Sequence, residues 1–321
     1  MNPKEEIHPM PEKQPHSTLP ARGFFIALVS SLFLSTTAIF IRYLTQTFTL
    51  PALILAFWRD FFVALTLIPA LAILRPALLR VERSHLAYLV IYGLALACFN
   101  SFWTLSVALN GAAVATVLVY CSAGFTVLLG WRLLKERLGL AKIAAVVVSL
   151  SGCVLVADAL NPATWNANLL GILTGVLAGL LYAVYSLMGR SAAQRGINPW
   201  STLLYTFSFA ALFLFLVNQL PNGWLPGTAS RLSDFLWLGS AFNGWIVLFL
   251  LAAVPTVAGF GLYNVSLSLL PSGVANLILT SEPVFTAVIA FLLFGERLTS
   301  TQLMGSVMVL GGVVILRLFE K

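Results

Sequence analysis

Three charged residues stand inside long apolar stretches of the sequence: Arg59, Asp60 and Glu282. A charged side chain at the centre of a membrane helix costs about 2.5–3.5 kcal/mol on insertion scales, so such residues are candidates for function. Arg59 has the chemistry to bind a carboxylate, and Asp60 or Glu282 has the chemistry to take up and release a proton. The alternative is a buried ion pair that only holds the protein together.

Helix geometry constrains the partners of these charges. Adjacent helical side chains point about 100° apart, so we expect that Arg59 and Asp60 do not face each other. Each then needs another partner, and a pair between Arg59 and Glu282 is one candidate. Pro283 removes a backbone donor directly after Glu282, which predicts a kink. Because a kink frees carbonyl groups, we expect the region that includes Asn276 and Glu282 to line a cavity.

Polar and aromatic residues on other apolar stretches are further candidates for a binding pocket. Asn100 and Trp103 are three residues apart, so a helix places them on one face. Tyrosines suit a pocket for an amphipathic organic solute, since each combines an aromatic ring with a hydroxyl group. Such side chains are also typical of membrane-interface anchors and of core packing. The candidate residues for a solute site or pathway are Arg59, Asp60, Asn100, Trp103, Tyr120, Tyr185, Tyr263, Asn276 and Glu282.

The composition places these residues in a membrane protein. The chain of 321 residues is 60% hydrophobic and 9% charged, with a mean hydropathy of +0.95. Soluble domains contain roughly 25% charged residues, so a soluble globular fold is excluded. Apolar runs of about 20 residues are long enough to cross roughly 30 Å of hydrocarbon as helices. The sequence predicts ten such spans, at residues 23–44, 51–74, 86–107, 111–133, 140–158, 169–190, 199–220, 242–266, 272–294 and 300–318.

An internal repeat organises the ten spans. Residues 108–156 align without a gap on residues 268–316, and Glu136 falls on Glu296. The sequence therefore predicts an all-α integral membrane protein with ten transmembrane helices as two inverted five-helix repeats, since an odd number of spans turns the second copy over. We expect the repeats at residues 23–158 and 159–321, after a disordered cytoplasmic tail at residues 1–22.

The segment Gly295-Glu296-Arg297 before the last span, which we call the joint, is interpreted as structural. We expect Glu136 and Glu296 to satisfy helix ends, and Thr299 and Gln302 to form a capping box that opens span ten. A ladder of small residues on span six is expected to let a neighbouring helix approach closely. This ladder consists of Gly171, Gly175, Gly179 and Ala183.

The distribution of basic residues predicts the orientation. Of the 18 Lys and Arg residues, all but Arg42, Arg59, Arg231 and Arg297 lie on the same side of the membrane as the N-terminus. Basic residues accumulate in cytoplasmic loops, so we expect both termini to be cytoplasmic in a multi-pass protein of the cell (inner) membrane. The net charge of +7 is therefore attributed to basic residues in cytoplasmic loops. We expect contact with membrane lipids and no nucleic-acid partner.

The joint and its surroundings resemble a known family. The Gly295-Glu296-Arg297 joint, the Ser281-Glu282-Pro283-Val284-Phe285 run and the paired five-span halves are similar to the EamA family of the drug/metabolite transporter superfamily. The resemblance covers residues 23–318. The first copy has Ser122-Ala123-Gly124-Phe125 where a proline-containing run is common in the family. Whether span four has a kink is therefore an open question at the level of sequence. The resemblance implies transport of amino acids or related metabolites, often as export.

The sequence thus favours a secondary transporter, an exporter of a small organic metabolite such as an amino acid. It would work by alternating access, with a midplane site between the two repeats. A channel or a lipid-handling protein on the same scaffold is the alternative. A membrane enzyme is disfavoured because the spans contain no histidine and, away from their ends, three charges. No cofactor or metal is expected, and the solute, the coupling ion and a homodimer are left open.

Overall fold

The computed structural model describes residues 20–156, 160, 162, 169–220, 227–229, 231–294 and 299–319. Within these ranges the regular structure is helical, with short 3₁₀ or π segments at Pro76–Leu79, Leu232–Leu236 and Ala252–Thr256. The α-helices are α1 (Ala21–Ser35), α2 (Thr37–Thr47), α3 (Ala52–Leu74), α4 (Arg83–Tyr120), α5 (Ser122–Leu134), α6 (Leu140–Val156), α7 (Leu169–Gln194), α8 (Pro199–Val217), α9 (Phe242–Leu251), α10 (Val257–Leu269), α11 (Ser272–Leu279), α12 (Glu282–Phe294) and α13 (Ser300–Phe319).

Each predicted span has a helical counterpart in the described part of the chain. Eight stretches are long and apolar enough to cross a membrane. The shorter α6 is the fifth span, and α11 and α12 together form the ninth. The prediction of an all-α integral membrane protein is therefore confirmed. Residues 1–19 of the predicted tail lie outside the described residues.

The third and fourth spans share one run of helical hydrogen bonding, yet the chain reverses within it. A Cβ atom on Gly175 of α7 would lie 2.7 Å from Ser106 Oγ and 2.6 Å from Leu118 Cδ1. A straight helix would separate residues 106 and 118 by about 18 Å. Both limbs of α4 therefore pack on α7 and run in opposite directions, as two consecutive spans must.

Tracing the spans assigns each connection to one side of the membrane. The connection 135–139 lies on the side that we call the near face, together with the turn between α10 and α11. The connection between α2 and α3 lies on the opposite side, the far face. The sequence predicts that the near face is cytoplasmic.

The two halves pack in a symmetric pattern. Their second spans, α3 and α8, contact each other, and so do their fifth spans, α6 and α13. The first span of one half packs against the third or fourth spans of the other half, in both directions. Every such contact has a counterpart when the halves are exchanged, as a two-fold relation requires. With five spans each, the exchange inverts one copy.

Glycines permit the closest contacts between helices. A Cβ atom on Gly152 of α6 would lie 2.7 Å from the Gly305 carbonyl oxygen of α13, and a Cβ atom on Gly305 would lie 2.7 Å from that of Gly152. The predicted ladder also packs closely, because a Cβ atom on Gly179 would lie 3.0 Å from the Leu118 carbonyl oxygen. Close backbone approach at small residues is how membrane helices associate.

The fourth and ninth spans are both broken at equivalent positions. One break falls at Cys121, between α4 and α5, and the other at Thr280 and Ser281, between α11 and α12. Cys121 and Ser281 are partners in the sequence repeat. The kink predicted from Pro283 exists, but the helix is interrupted two to three residues before the proline. Pro283 itself lies in the first turn of α12, where proline is tolerated. The break at Cys121 needs no proline.

Candidate functional site

Arg59 and Asp60 lie within α3 and form an ion pair. The Nε atom of Arg59 donates to Oδ1 of Asp60 at 3.3 Å, and both side chains are buried. The prediction that these neighbours do not face each other is therefore wrong. Their Cβ atoms diverge, but the long arginine side chain bends back to the carboxylate, because an unpaired buried charge is much more costly.

Asn100 on α4 completes a group that we call the α3–α4 cluster (Arg59, Asp60 and Asn100). Its Nδ2 atom donates to Oδ2 of Asp60 at 2.7 Å. The candidate pair between Arg59 and Glu282 is not among the ion pairs of the described residues. Arg59 instead balances the charge of its neighbour, so that the cluster is neutral as a whole.

Two buried atoms of the α3–α4 cluster have no hydrogen-bond partner among the described residues: Nη2 of Arg59 and Oδ1 of Asn100. An unsatisfied buried polar group costs about 1–3 kcal/mol. One atom is a donor and the other an acceptor. The cluster can therefore bind a polar ligand that brings both an acceptor and a donor.

A cavity of about 480 Å³ lies at the far face of the membrane. Its wall includes Trp103 and Thr104 of α4, which are one helical turn from Asn100. The remaining lining residues named for it are Ile41, Thr45, Thr49, Leu50, Pro51, Ala52, Leu55, Leu105, Val107, Leu109 and Gly227. Trp103 is the one predicted pathway residue among the lining residues named for this cavity, and the three residues of the α3–α4 cluster are not among them.

A second set of polar residues, the central network (Ser122, Ser186, Tyr263 and Asn276), joins helices of both halves. The Nδ2 atom of Asn276 donates to Ser186 Oγ at 3.0 Å and to the Tyr263 hydroxyl at 3.4 Å. Its Oδ1 atom accepts from Ser122 Oγ at 3.1 Å. Ser186 and Tyr263 share a further hydrogen bond of 2.6 Å. Asn276 thus holds four helices together, and its expected role in lining a cavity stays a prediction.

Three stacked tyrosines, two on α7 and one on α10, extend the central network to Asn264. The rings of Tyr182, Tyr185 and Tyr263 lie nearly parallel, with centroids 5.9 to 6.5 Å apart. The Tyr185 hydroxyl donates to Oδ1 of Asn264 at 3.4 Å. The Nδ2 atom of Asn264 is buried without a partner in the described part of the protein. Tyr185 and Tyr263, both predicted candidates, are therefore neighbours in one buried polar layer.

Glu282 and Tyr120 meet where the fourth and ninth spans break. Glu282 is the first residue of α12 and Tyr120 the last of α4. The Tyr120 hydroxyl lies near the Glu282 carboxylate. Glu282 is partly buried, whereas Tyr120 is buried. This places the second predicted acidic group beside a helix break inside the membrane.

The predicted structural role of the joint is confirmed for Glu136. Its carboxylate accepts hydrogen bonds from the backbone N–H groups of Ser272 and Gly273, at 2.7 and 3.3 Å. The helix end that it satisfies belongs to the other half of the chain. Glu296 lies outside the described residues. The capping box at α13 is also confirmed, because Thr299 N–H donates to Gln302 Oε1 and Gln302 N–H donates to Thr299 Oγ1.

Comparison with known protein families agrees with this architecture. The sequence profile of the EamA-like transporter family matches the chain twice, at residues 21–157 and 169–318. The chain belongs to the EamA-like transporter family. The predicted membership is therefore confirmed, as is the prediction of a transporter-family membrane protein rather than an enzyme.

Relatives within the EamA-like family carry transporter names. An "uncharacterized transporter" of Archaeoglobus fulgidus is 27% identical over 63% of this chain and 66% of its own length, slightly less than two thirds of that protein. A "probable amino-acid metabolite efflux pump" of Escherichia coli is 26% identical over 75% of this chain and 80% of its own length. A solved crystal structure has the same fold, with a TM-score of 0.73 and 16% identity over 92% of this chain and 96% of that one.

The EamA-like fold brings the nine predicted residues into two groups. Arg59, Asp60, Asn100 and Trp103 lie in or beside the α3–α4 cluster. The other five lie around the central network and the span breaks. Sequence reasoning missed Ser122 and Ser186 as members of the network, because a serine in an apolar helix usually bonds a carbonyl of its own helix. Ser186 does both, since it also donates to the Tyr182 carbonyl oxygen.

Proposed function

We propose that this EamA-like protein is a secondary transporter of a small organic metabolite such as an amino acid. Its two repeats, residues 23–158 and 159–321, move the solute by alternating access past a midplane site between them. One observation carries the proposal above others. The buried α3–α4 cluster retains an unused donor on Arg59 and an unused acceptor on Asn100.

The chemistry of the cluster matches that of an amino acid. The free Nη2 of Arg59 suits a carboxylate, and the oxygens of Asn100 and Asp60 suit an ammonium group. A ligand that supplies both groups would relieve two buried unsatisfied atoms at once, and hydrogen bonds to charged groups contribute about 1.5–3 kcal/mol each. The printed name of the Escherichia coli relative, an amino-acid metabolite efflux pump, supports the same solute class.

The remaining candidates have roles along the same route. Trp103 lines the far-face cavity and lies about one helical turn from Asn100 of the cluster. Tyr120 of the first repeat and Tyr185, Tyr263 and Asn276 of the second repeat form the opposite side of the pathway. Glu282, beside the break between α11 and α12, is the proposed proton-exchanging group. Inverted-repeat transporters place coupling groups at such interrupted helices.

The proposed orientation places the far-face cavity on the outside of the cell. Both termini lie in the cytoplasm and the chain spans the inner cell membrane, because the near face carries most of the basic residues. The far-face cavity then opens to the outside, a state through which importers and exporters both pass. We propose export as the direction, because the Escherichia coli relative is named an efflux pump.

Counterflow in proteoliposomes tests this function. Vesicles are loaded with one member of an amino-acid panel, and entry of the radiolabelled form is followed with purified protein. We expect saturable entry that depends on internal solute, since a carrier exchanges faster than it returns empty. Entry that never saturates and needs no internal solute would point to a channel and contradict the proposal.

A further inference from the structure

Glu136 makes a contact between the repeats that differs from an ordinary helix cap. It lies in the connection between α5 and α6, in the first half of the chain. Its Oε1 atom accepts from the N–H and from the Oγ of Ser272, each at 2.7 Å, and its Oε2 atom accepts from the N–H of Gly273 at 3.3 Å. One partly buried carboxylate therefore binds three donors on the first turn of α11, in the second half.

Glycines on both helices leave room for the Glu136 contact, Gly130 on α5 and Gly273 on α11. A Cβ atom on Gly130 of α5 would lie 2.8 Å from Oε2 of Glu136 and 3.1 Å from Ser272 Oγ. A Cβ atom on Gly273 would lie 2.9 Å from Cγ2 of Val127, also on α5. A side chain at either glycine would separate α5 from α11. The fit thus depends on one glycine from each half.

Residues 270 and 271 form the turn between α10 and α11, and side chains of opposite charge bind the two helix ends beside it. Arg190 donates to the carbonyl oxygens of Leu267 and Ser268, at 2.9 and 3.1 Å, at the C-terminal end of α10. Glu136 binds the N-terminal end of α11. Each charge has the sign that the helix dipole favours at that end. Arg190 and α10 belong to the same half, so Glu136 is the member of this pair that joins the two halves.

The Glu136 contact and the cavity lie on opposite faces of the membrane. The contact is at the near face, where α5 ends and α11 begins. The cavity, lined by residues such as Leu50 and Leu109, is at the far face. Alternating access requires the near face to open when the far face closes, and the halves cannot separate at the near face while this carboxylate bridges them.

We propose that Glu136 is a latch that closes the near face and stabilises the state in which the cavity is open at the far face. The proposal rests on the proposed transport function, because a protein without two access states needs no latch. Glu136 acts as a positioning residue through α11 and touches no solute. Release of Ser272 and Gly273 is then the step that exposes the solute pathway to the near face.

Cysteine labelling in detergent tests the latch without any solute, so its result is independent of whether transport is observed. The native Cys98, Cys121 and Cys153 are replaced by alanine, and one reporter is introduced per protein. Val127→Cys reports on the near face, since Val127 is 5% exposed beneath the contact. Leu109→Cys reports on the far-face cavity. Each reporter is combined with Glu136→Ala, Glu136→Gln or the control Glu82→Gln, which changes an exposed carboxylate on the same face.

The latch predicts opposite changes at the two reporters. With Glu136→Ala, the maleimide labelling rate should rise roughly tenfold at the V127C reporter and fall at the L109C reporter, because three hydrogen bonds to a charged group are lost. Glu136→Gln keeps one accepting oxygen and should give a smaller change in the same directions, and Glu82→Gln should give none. Unchanged rates at both reporters would overturn the proposal. A higher labelling rate at both reporters would overturn the proposal too, because it would show that Glu136 stabilises the fold as a whole rather than the state that is open at the far face.

Discussion

The Nδ2 atom of Asn100 lies 2.7 Å from Oδ2 of Asp60, and this hydrogen bond joins α4 to α3 inside the membrane. Asp60 receives a second bond from Arg59. Each carboxylate oxygen thereby accepts one hydrogen bond, while Arg59 and Asn100 each keep one buried atom unused. An arrangement that only stabilised the fold would gain by satisfying all of its polar atoms. The unused pair is therefore the strongest structural argument for a solute site here.

Replacement of Asn100 by leucine should lower the stability of the protein. The change removes one of the two hydrogen-bond donors to the buried Asp60 carboxylate, and hydrogen bonds to charged groups contribute about 1.5–3 kcal/mol. Thermal unfolding in detergent should show a lower midpoint for Asn100→Leu than for the wild type. Gln219→Leu, at an exposed position, is the control and should have little effect. Equal midpoints for the two variants would show that Asn100 contributes no such stabilisation.

Asn276 and Ser186 should be energetically coupled. Their side chains are 3.0 Å apart and both bond to Tyr263. Members of one hydrogen-bond network usually show coupling energies of about 0.5–3 kcal/mol in double-mutant cycles. The stability losses of Asn276→Ala and Ser186→Ala should therefore not add in the double variant. Simple additivity, measured by denaturant or thermal unfolding, would argue against a connected central network.

Two glycines on α13 offer a matched test of packing between the repeats. Gly305→Ala should destabilise the protein, because the new Cβ atom would lie 2.7 Å from the Gly152 carbonyl oxygen. Overpacking of this kind costs about 1–3 kcal/mol. Gly311→Ala on the same helix has nothing within 4 Å of the new atom, and should be neutral or stabilising by up to about 1 kcal/mol. A gain of stability in both variants would mean that helix propensity, rather than close packing, decides the result.

Glu282 should make transport depend on pH. As the pH rises on the side that supplies protons, a smaller fraction of Glu282 carries a proton, and proton-driven transport should slow. Glu282→Gln cannot exchange a proton, so its residual transport should be independent of pH over the same range. Solute uptake by proteoliposomes at a series of external pH values, with Glu82→Gln as the control, measures this. A variant profile that follows that of the wild type would exclude Glu282 as the coupling group.

Much of the fold follows from the sequence because the repeat and the apolar spans are properties of the chain itself. The alignment of Cys121 with Ser281 even pairs the two helix breaks. What the sequence does not provide is the reach of individual side chains. The angular spacing of Arg59 and Asp60 describes their Cβ atoms, and the flexible arginine side chain overcomes it.

Contacts between distant segments were harder to predict for a related reason. Glu136 was expected to satisfy a helix end, but nothing in the local sequence indicates that this end is α11, more than a hundred residues away. Ser122 and Ser186 likewise acquire their roles through partners on other helices, Asn276 for both and also Tyr263 for Ser186. Such partners depend on the packing of the two halves and not on spacing along one of them.

The most direct test of the central claim is competition in counterflow by an amino acid and by its carboxamide, which lacks the carboxylate. In the wild type the amino acid should compete and the carboxamide should not, since Arg59 recognises the carboxylate. Arg59→Lys loses the planar fork of donors, so the affinity for the amino acid should fall by about tenfold or more. Arg80→Lys, at an exposed position, should leave both results unchanged. If Arg59→Lys retains the wild-type affinity and still discriminates against the carboxamide, the α3–α4 cluster is not the solute site.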